Sequence, residues 1–133
     1  MYEIVKTISF CYGHRLLNYV GPCAHLHGHN AKVDVHLASD KLDVRGMVVD
    51  FGDIKAEVKA WIDEHLDHTL LLCKDDPIRA SLDVANEKYY VMDVNPTAEN
   101  IAALIYQFTK EKGFPVSAVT LWESDSSFAR YSE

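Results

Sequence analysis

The chain has no apolar run approaching the roughly 20 residues that a membrane-spanning helix needs. That argues against an integral helical membrane protein. Positive charge is also scarce: 13 Lys and Arg stand against 20 Asp and Glu, a formal net charge of -7. General nucleic-acid binding wants a basic stripe, and this balance argues against it. An anionic substrate would need positive charge gathered locally, by a metal or by a few side chains such as Arg15 and Lys32. There are only three cysteines, Cys11, Cys23 and Cys73. An odd number with no secretion signal argues against a disulfide framework, and Cys11 and Cys73 are expected to be small buried hydrophobes. The opening "MYEIVKTISF" has an early Glu and no basic region before an apolar block, so it does not read as a signal peptide and the expected location is cytoplasmic. Low-complexity tracts, repeats, linkers and long runs of like charge are all missing.

What is present suits one soluble globular domain spanning residues 1–133, with 48% apolar and 25% charged residues. Residues 2–11 are rich in β-branched and aromatic side chains and predict a strand with Ile4, Ile8 and Phe10 on one face. Residues 12–28 hold glycines, Pro22 and most of the histidines, and read as a loop. Residues 29–38 alternate, with Ala31, Val33, Val35 and Leu37 facing inward. Ile54, Val58, Trp61 and Ile62 predict a helix over 53–66, entered through Asp50 or Asp53. Residues 69–87 read as irregular, with a short helical piece at 77–83, and 88–94 as a strand. Thr97 is the expected N-cap of a helix bearing Ile101, Leu104, Ile105 and Phe108, ended by Gly113 and Pro115. Residues 116–124 read as the last strand. Two hairpin-like strand pairs flanking two helices, an order summarised as β-β-α-α-β-β, indicate an α+β fold: an antiparallel sheet with helices on one face. Its exposed edges favour assembly into an oligomer.

The chemistry concentrates in "CAHLHGHN", residues 23–30. If the second strand extends back by two residues, His27 and His29 share a face, and Gly28 lets the backbone approach closely. Such a pair suits two ligands of a tetrahedral zinc, and His14 at the end of strand one supplies a third. Three histidines leave a position for water or substrate, the pattern of a catalytic ion. The competing reading is a hydrogen-bonded histidine cluster. Cys23 is open to three roles here: fourth ligand, base, or nucleophile with a thiol activated by nearby positive charge. Asp67 beside His68 resembles an acid–base pair, or else a helix end with histidines at the negative dipole. Glu123 is either a solvated strand end or a carboxylate able to accept two parallel N–H bonds from a guanidine-like ring edge.

"SFCYGHRL", "CAHLHGHN", "GMVVDFGDIK", "LDHTLLL", "NPTAENIA" and "ES…ARY" follow one another over almost the whole chain. Together they resemble the 6-pyruvoyl-tetrahydropterin synthase family. The short C-x-x-x-H-G-H spacing is similar to the 6-carboxy-tetrahydropterin synthase branch, which acts in queuosine biosynthesis. The resemblance implies a tunnelling fold, with sheets joined into a trimeric barrel, two trimers stacked into a hexamer, and sites at subunit interfaces. It implies Zn2+ on His14, His27 and His29, and a catalytic triad of Cys23, Asp67 and His68. It implies that Glu123 anchors a pterin and that Thr97 and Glu99 line its pocket. The implied activity is that of a lyase, converting 7,8-dihydroneopterin triphosphate to 6-carboxy-5,6,7,8-tetrahydropterin with loss of triphosphate and acetaldehyde. Alternatives are a pyruvoyl-forming or side-chain-cleaving pterin enzyme, or a zinc-bearing pterin-binding paralogue without turnover. The chain departs from the pattern at Tyr12-Gly13, where small residues are usual, at Leu72, where Asn is common, and in a longer 73–90 segment.

Overall fold

A computed structural model describes residues 1–133. Six strands form one sheet: β1 (Tyr2–His14), β2 (His27–Ser39), β3 (Thr69–Cys73), β4 (Tyr89–Met92), β5 (Val116–Ser124) and β6 (Ser127–Tyr131). A continuous helix, α1, runs from Phe51 to His65 and contains a π turn at Lys55–Lys59; α2 is Ile78–Val84 and α3 is Ala98–Glu111. The strands lie in the order β4-β3-β1-β2-β5-β6.

The α+β class stands, and the inward faces match the alternation. Ile8, Phe10, Val33, Val35 and Leu37 are buried in one cluster with Ile54, Val58 and Ile62 of α1 and Ile101 and Ile105 of α3. Each such side chain contributes about 1.5–3 kcal/mol when withdrawn from water. On α1 the buried residues recur every four positions. The wider π turn keeps that spacing on one face, where an α-helix would let it drift.

Three expectations need correction. The sheet is mixed: β1, β2, β5 and β6 pair antiparallel, but β1–β3 and β3–β4 are parallel. Residues 69–73, expected to be irregular, form a strand. "TLLLC" lacks alternation because Leu71, Leu72 and Cys73 are all buried, as in a strand covered on both faces. The element order is also richer than β-β-α-α-β-β, since β4 precedes α3 and β6 follows β5.

The loop assigned to 12–28 shrinks from both ends. β1 runs on to His14 and β2 starts at His27, so that His14 pairs with His27 and Tyr12 with His29. Gly13 faces Gly28 between them. A Cβ on Gly28 would stand 3.1 Å from the Tyr12 carbonyl oxygen, so the two strands approach this closely only with glycine there. Asp50 caps α1 by accepting from the Gly52 amide at 2.8 Å, and Thr97 caps α3 by accepting from the Asn100 amide at 3.2 Å.

Candidate metal centre and adjoining pocket

His14, His27 and His29 stand on the facing ends of β1 and β2, with ring centroids 4.5 to 5.1 Å apart. Their Nε2 atoms are buried and have no hydrogen-bond partner. An unpaired buried polar atom costs about 1–3 kcal/mol, and three together call for a common partner. The other ring nitrogens are committed. His14 Nδ1 donates to the Pro96 carbonyl at 2.6 Å and His27 Nδ1 donates to the His25 carbonyl at 2.7 Å. A carbonyl only accepts, so on both rings the proton sits on Nδ1 and the lone pair on Nε2. Outer partners orient metal-binding histidines in this way.

Burial lowers the His14 pKa, the Pro96 carbonyl opposes that shift, and the facing His27 adds to it. The net effect keeps the imidazole neutral, the form that binds a metal. Glu123 completes the group: its Oε1 lies 2.7 Å from His29 Nε2 and 3.4 Å from His14 Nε2, and ligand atoms of all four residues lie within 4.8 Å of one another. Against His14, whose Nε2 carries a lone pair, the carboxylate is repulsive unless a cation lies between them, while His29 Nε2 faces the same oxygen at ion-pair distance. The group can therefore hold a metal ion. Glu123 is turned inward beside a break in the β5–β6 register between Trp122 and Ser124, a bulge-like device that re-aims a side chain.

A cavity of about 240 Å³ opens on the His14 side of the cluster, lined by His14, Cys23, Thr97, Glu99, Glu123 and Phe128 among others. Five of the residues singled out in the sequence thus share one pocket. Cys23 lies in a one-turn 3-10 helix, Pro22–Ala24, and its thiol is unpaired.

Asp67 and His68 do not line this pocket; His68 borders a second cavity that His27 and His29 also line. His68 Nδ1 is 2.9 Å from Asp67 Oδ2, and its side chain is 81% exposed. The Cys11 amide donates to Asp67 Oδ1 at 2.9 Å, and the Cys11 sulfur lies within 4.8 Å of this carboxylate. Burial raises the Asp67 pKa, but the bonds from Cys11 and His68 outweigh it and the net shift is downward. Within one chain the pair thus meets Cys11, not Cys23. Cys11 is only partly buried, against expectation, whereas Cys73 is buried as expected.

Arg15 does not supply free positive charge. It makes a two-pronged ion pair with Asp76, whose side chain is fully buried. Sequence reasoning also missed two carbonyls, of Pro96 and His25, and the Tyr12 ring that packs edge-on to His14 at 5.1 Å. Backbone acceptors carry no residue signature. Tyr12 was legible only as a departure from a pattern.

No helix is long and apolar enough to cross a membrane. The family model described as 6-pyruvoyl tetrahydropterin synthase matches residues 3–133. A protein of Rickettsia conorii called 6-carboxy-5,6,7,8-tetrahydropterin synthase is 38% identical over 135 residues, covering 96% of this chain and 98% of that one. One of the same name from Haemophilus influenzae is 33% identical over 141 residues, covering 100% of both. Among solved structures, an uncharacterized protein from Wolinella succinogenes superposes with a TM-score of 0.83 at 31% identity, covering 99% of this chain and 98% of that one. The 6-pyruvoyl tetrahydropterin synthase of Caenorhabditis elegans shares the fold, with a TM-score of 0.74 at 21% identity over 99% of this chain and 95% of that one. With the family model spanning almost every residue, this chain belongs to the 6-pyruvoyl tetrahydropterin synthase family.

Proposed function

We propose that the protein is a lyase converting 7,8-dihydroneopterin triphosphate, with one water, to 6-carboxy-5,6,7,8-tetrahydropterin, triphosphate and acetaldehyde. The observation that carries this reading is the convergence of three unpaired Nε2 atoms beside a pocket that also holds Cys23 and Glu123. The relatives named 6-carboxy-5,6,7,8-tetrahydropterin synthase favour this product over a pyruvoyl one.

Three imidazoles suit Zn2+, and His14, His27 and His29 would hold it. When bound, zinc acts as a Lewis acid that stabilises negative charge developing on substrate oxygen. Glu123 presents a carboxylate able to accept two parallel N–H bonds from the 2-amino and N3 edge of the pterin. Thr97 and Glu99 border the same pocket at the start of α3. Cys23, as thiolate, takes a carbon-bound proton from the substrate side chain. His68 relays protons while Asp67 orients its ring and stabilises the imidazolium. No outside redox cofactor is required, because the ring is reduced at the expense of the side-chain carbon that stays attached and becomes the carboxylate.

Cys23 and the Asp67–His68 pair are separated within one chain. We assign their meeting to a subunit interface: the pair of one subunit completes the pocket of the next. The open edges β4 and β6 are where sheets would join, in a trimeric ring with two rings stacked as a hexamer. Three free thiols suit a reducing, cytoplasmic setting.

The test is incubation with 7,8-dihydroneopterin triphosphate and mass identification of the pterin. The 6-carboxy product with acetaldehyde is expected. A pyruvoyl product, or binding without triphosphate release, overturns the reading. Cys23→Ala should keep its zinc and lose turnover; loss of zinc as well would make Cys23 a ligand.

A further inference from the structure

Cys11 is the one chemically active residue at the Asp67–His68 pair for which the reaction has no use. It lies on β1 three residues before His14, pointing to the other side of the strand. Its sulfur, an Asp67 oxygen and a His68 ring nitrogen all lie within 4.8 Å of one another. The arrangement is fixed from several directions. The Cys11 amide holds Asp67 Oδ1, and the His68 amide donates to the Cys11 carbonyl at 2.7 Å. His68 sits in the left-handed region at φ 55, which sends its ring outward. Cys11 and His68 both line an open cavity of about 570 Å³ that Glu87 and Lys88 also border and that reaches His27 and His29.

We propose that Cys11, Asp67 and His68 form a second site for a thiophilic divalent cation of the zinc class, and that its occupancy withholds Asp67 and His68 from proton transfer. The donor set is one sulfur, one oxygen and one nitrogen, a combination zinc accepts readily. Ligand atoms of a tetrahedral zinc stand about 3.3–3.7 Å apart, by geometry from the usual bond lengths. The ligand atoms, all within 4.8 Å of one another, must draw closer to reach that spacing, and the solvent-exposed His68 ring is free to move. The site brings two negative ligands, thiolate and carboxylate, where the three histidines bring none. The cation also takes the place of the Asp67–His68 hydrogen bond. Zinc would thus serve the enzyme at one site and restrain it at the other. The binding claim stands alone; the restraint rests on the proposed role of Asp67 and His68.

The experiment uses the full chain carrying one equivalent of Zn2+, titrated with Co2+ while the near-ultraviolet thiolate-to-cobalt absorption is recorded. A band saturating near one further equivalent is expected. It should be absent in Cys11→Ser and retained in Cys23→Ser. Absence of the band in the unmodified protein, or a band that follows Cys23, overturns the site. Should Cys11→Ser fold poorly, His68→Ala decides instead: its ring is exposed, and losing one ligand should weaken the second equivalent at least ~10-fold. In turnover assays, excess Zn2+ should slow the unmodified protein several-fold and leave Cys11→Ser unaffected. Second-site binding without inhibition overturns the restraint. A protein with no turnover at all would refute the proposed activity, while the cobalt band would still decide the site.

Discussion

His14 and His27 face each other directly across β1 and β2, their ring centroids 4.5 Å apart and each Nδ1 tied to a different backbone carbonyl. The pairing register aims both lone pairs at one point. Removing either ring should therefore abolish the site. His27→Ala is expected to lose the bound metal on purification, as read by elemental analysis. The unmodified protein should also be stabilised by metal, by about 4 kcal/mol when the free ion stands at 1,000 times its Kd. That gain should vanish in His27→Ala, as seen in melting temperatures with and without chelator.

The approach of the strands gives a second expectation. A methyl on Gly28 meets the Tyr12 carbonyl at 3.1 Å, and that carbonyl belongs to a rigid ladder. A methyl on Gly13 meets Leu70 Cδ2 at 2.6 Å, but this is the end of a side chain that can turn aside. Gly28→Ala should cost about 1–3 kcal/mol and weaken metal binding, with Gly13→Ala the milder of the two in urea unfolding.

A substitution at His68 separates its proposed role in proton transfer from stability. Its left-handed backbone costs a residue bearing a Cβ about 1–2 kcal/mol, and its side chain is exposed. His68→Gly should leave the urea midpoint unchanged or higher while turnover falls by ~100-fold or more. A lower midpoint would assign the imidazole a structural role.

The Arg15–Asp76 pair sets an acid limit. The Arg15 guanidinium holds the Asp76 carboxyl below its ordinary value, against the opposing effect of burial. A carboxyl whose folded-state pKa is depressed lends stability above its unfolded value of about 4 and loses it as pH falls through the folded value. Asp76 also accepts from the Ile78 amide at 2.9 Å at the start of α2. Asp76→Asn should cost about 3 kcal/mol at pH 7, since Arg15 stays partly covered and unpaired. The difference from the unmodified protein should shrink below pH 4 in denaturation curves taken across the acid range.

Much of this was legible in the residues. Alternation over 31–37 and the spacing of Ile54, Val58 and Ile62 identified the core faces, because solvent exclusion acts on one side of a strand or helix. The same period-2 rule placed His27 and His29 together. β3 was not legible: a strand covered on both faces has no polar alternation to betray it, and "TLLLC" reads equally as other buried structure. β6 was lost because its pattern is short and half-exposed.

By itself, then, the sequence determined the class of fold and marked His14, His27 and His29 as candidate ligands through residue identity and local period, while the order of its motifs marked the family. Only the tertiary structure decided the company each residue keeps. It gave Asp67 and His68 to Cys11 and left Cys23 with Glu123, Thr97 and Glu99. It neutralised Arg15 with Asp76, and fixed the His14 and His27 tautomers through the carbonyls of Pro96 and His25. Such contacts join positions as much as 82 residues apart, and no local pattern encodes which distant backbone or carboxylate a side chain will meet.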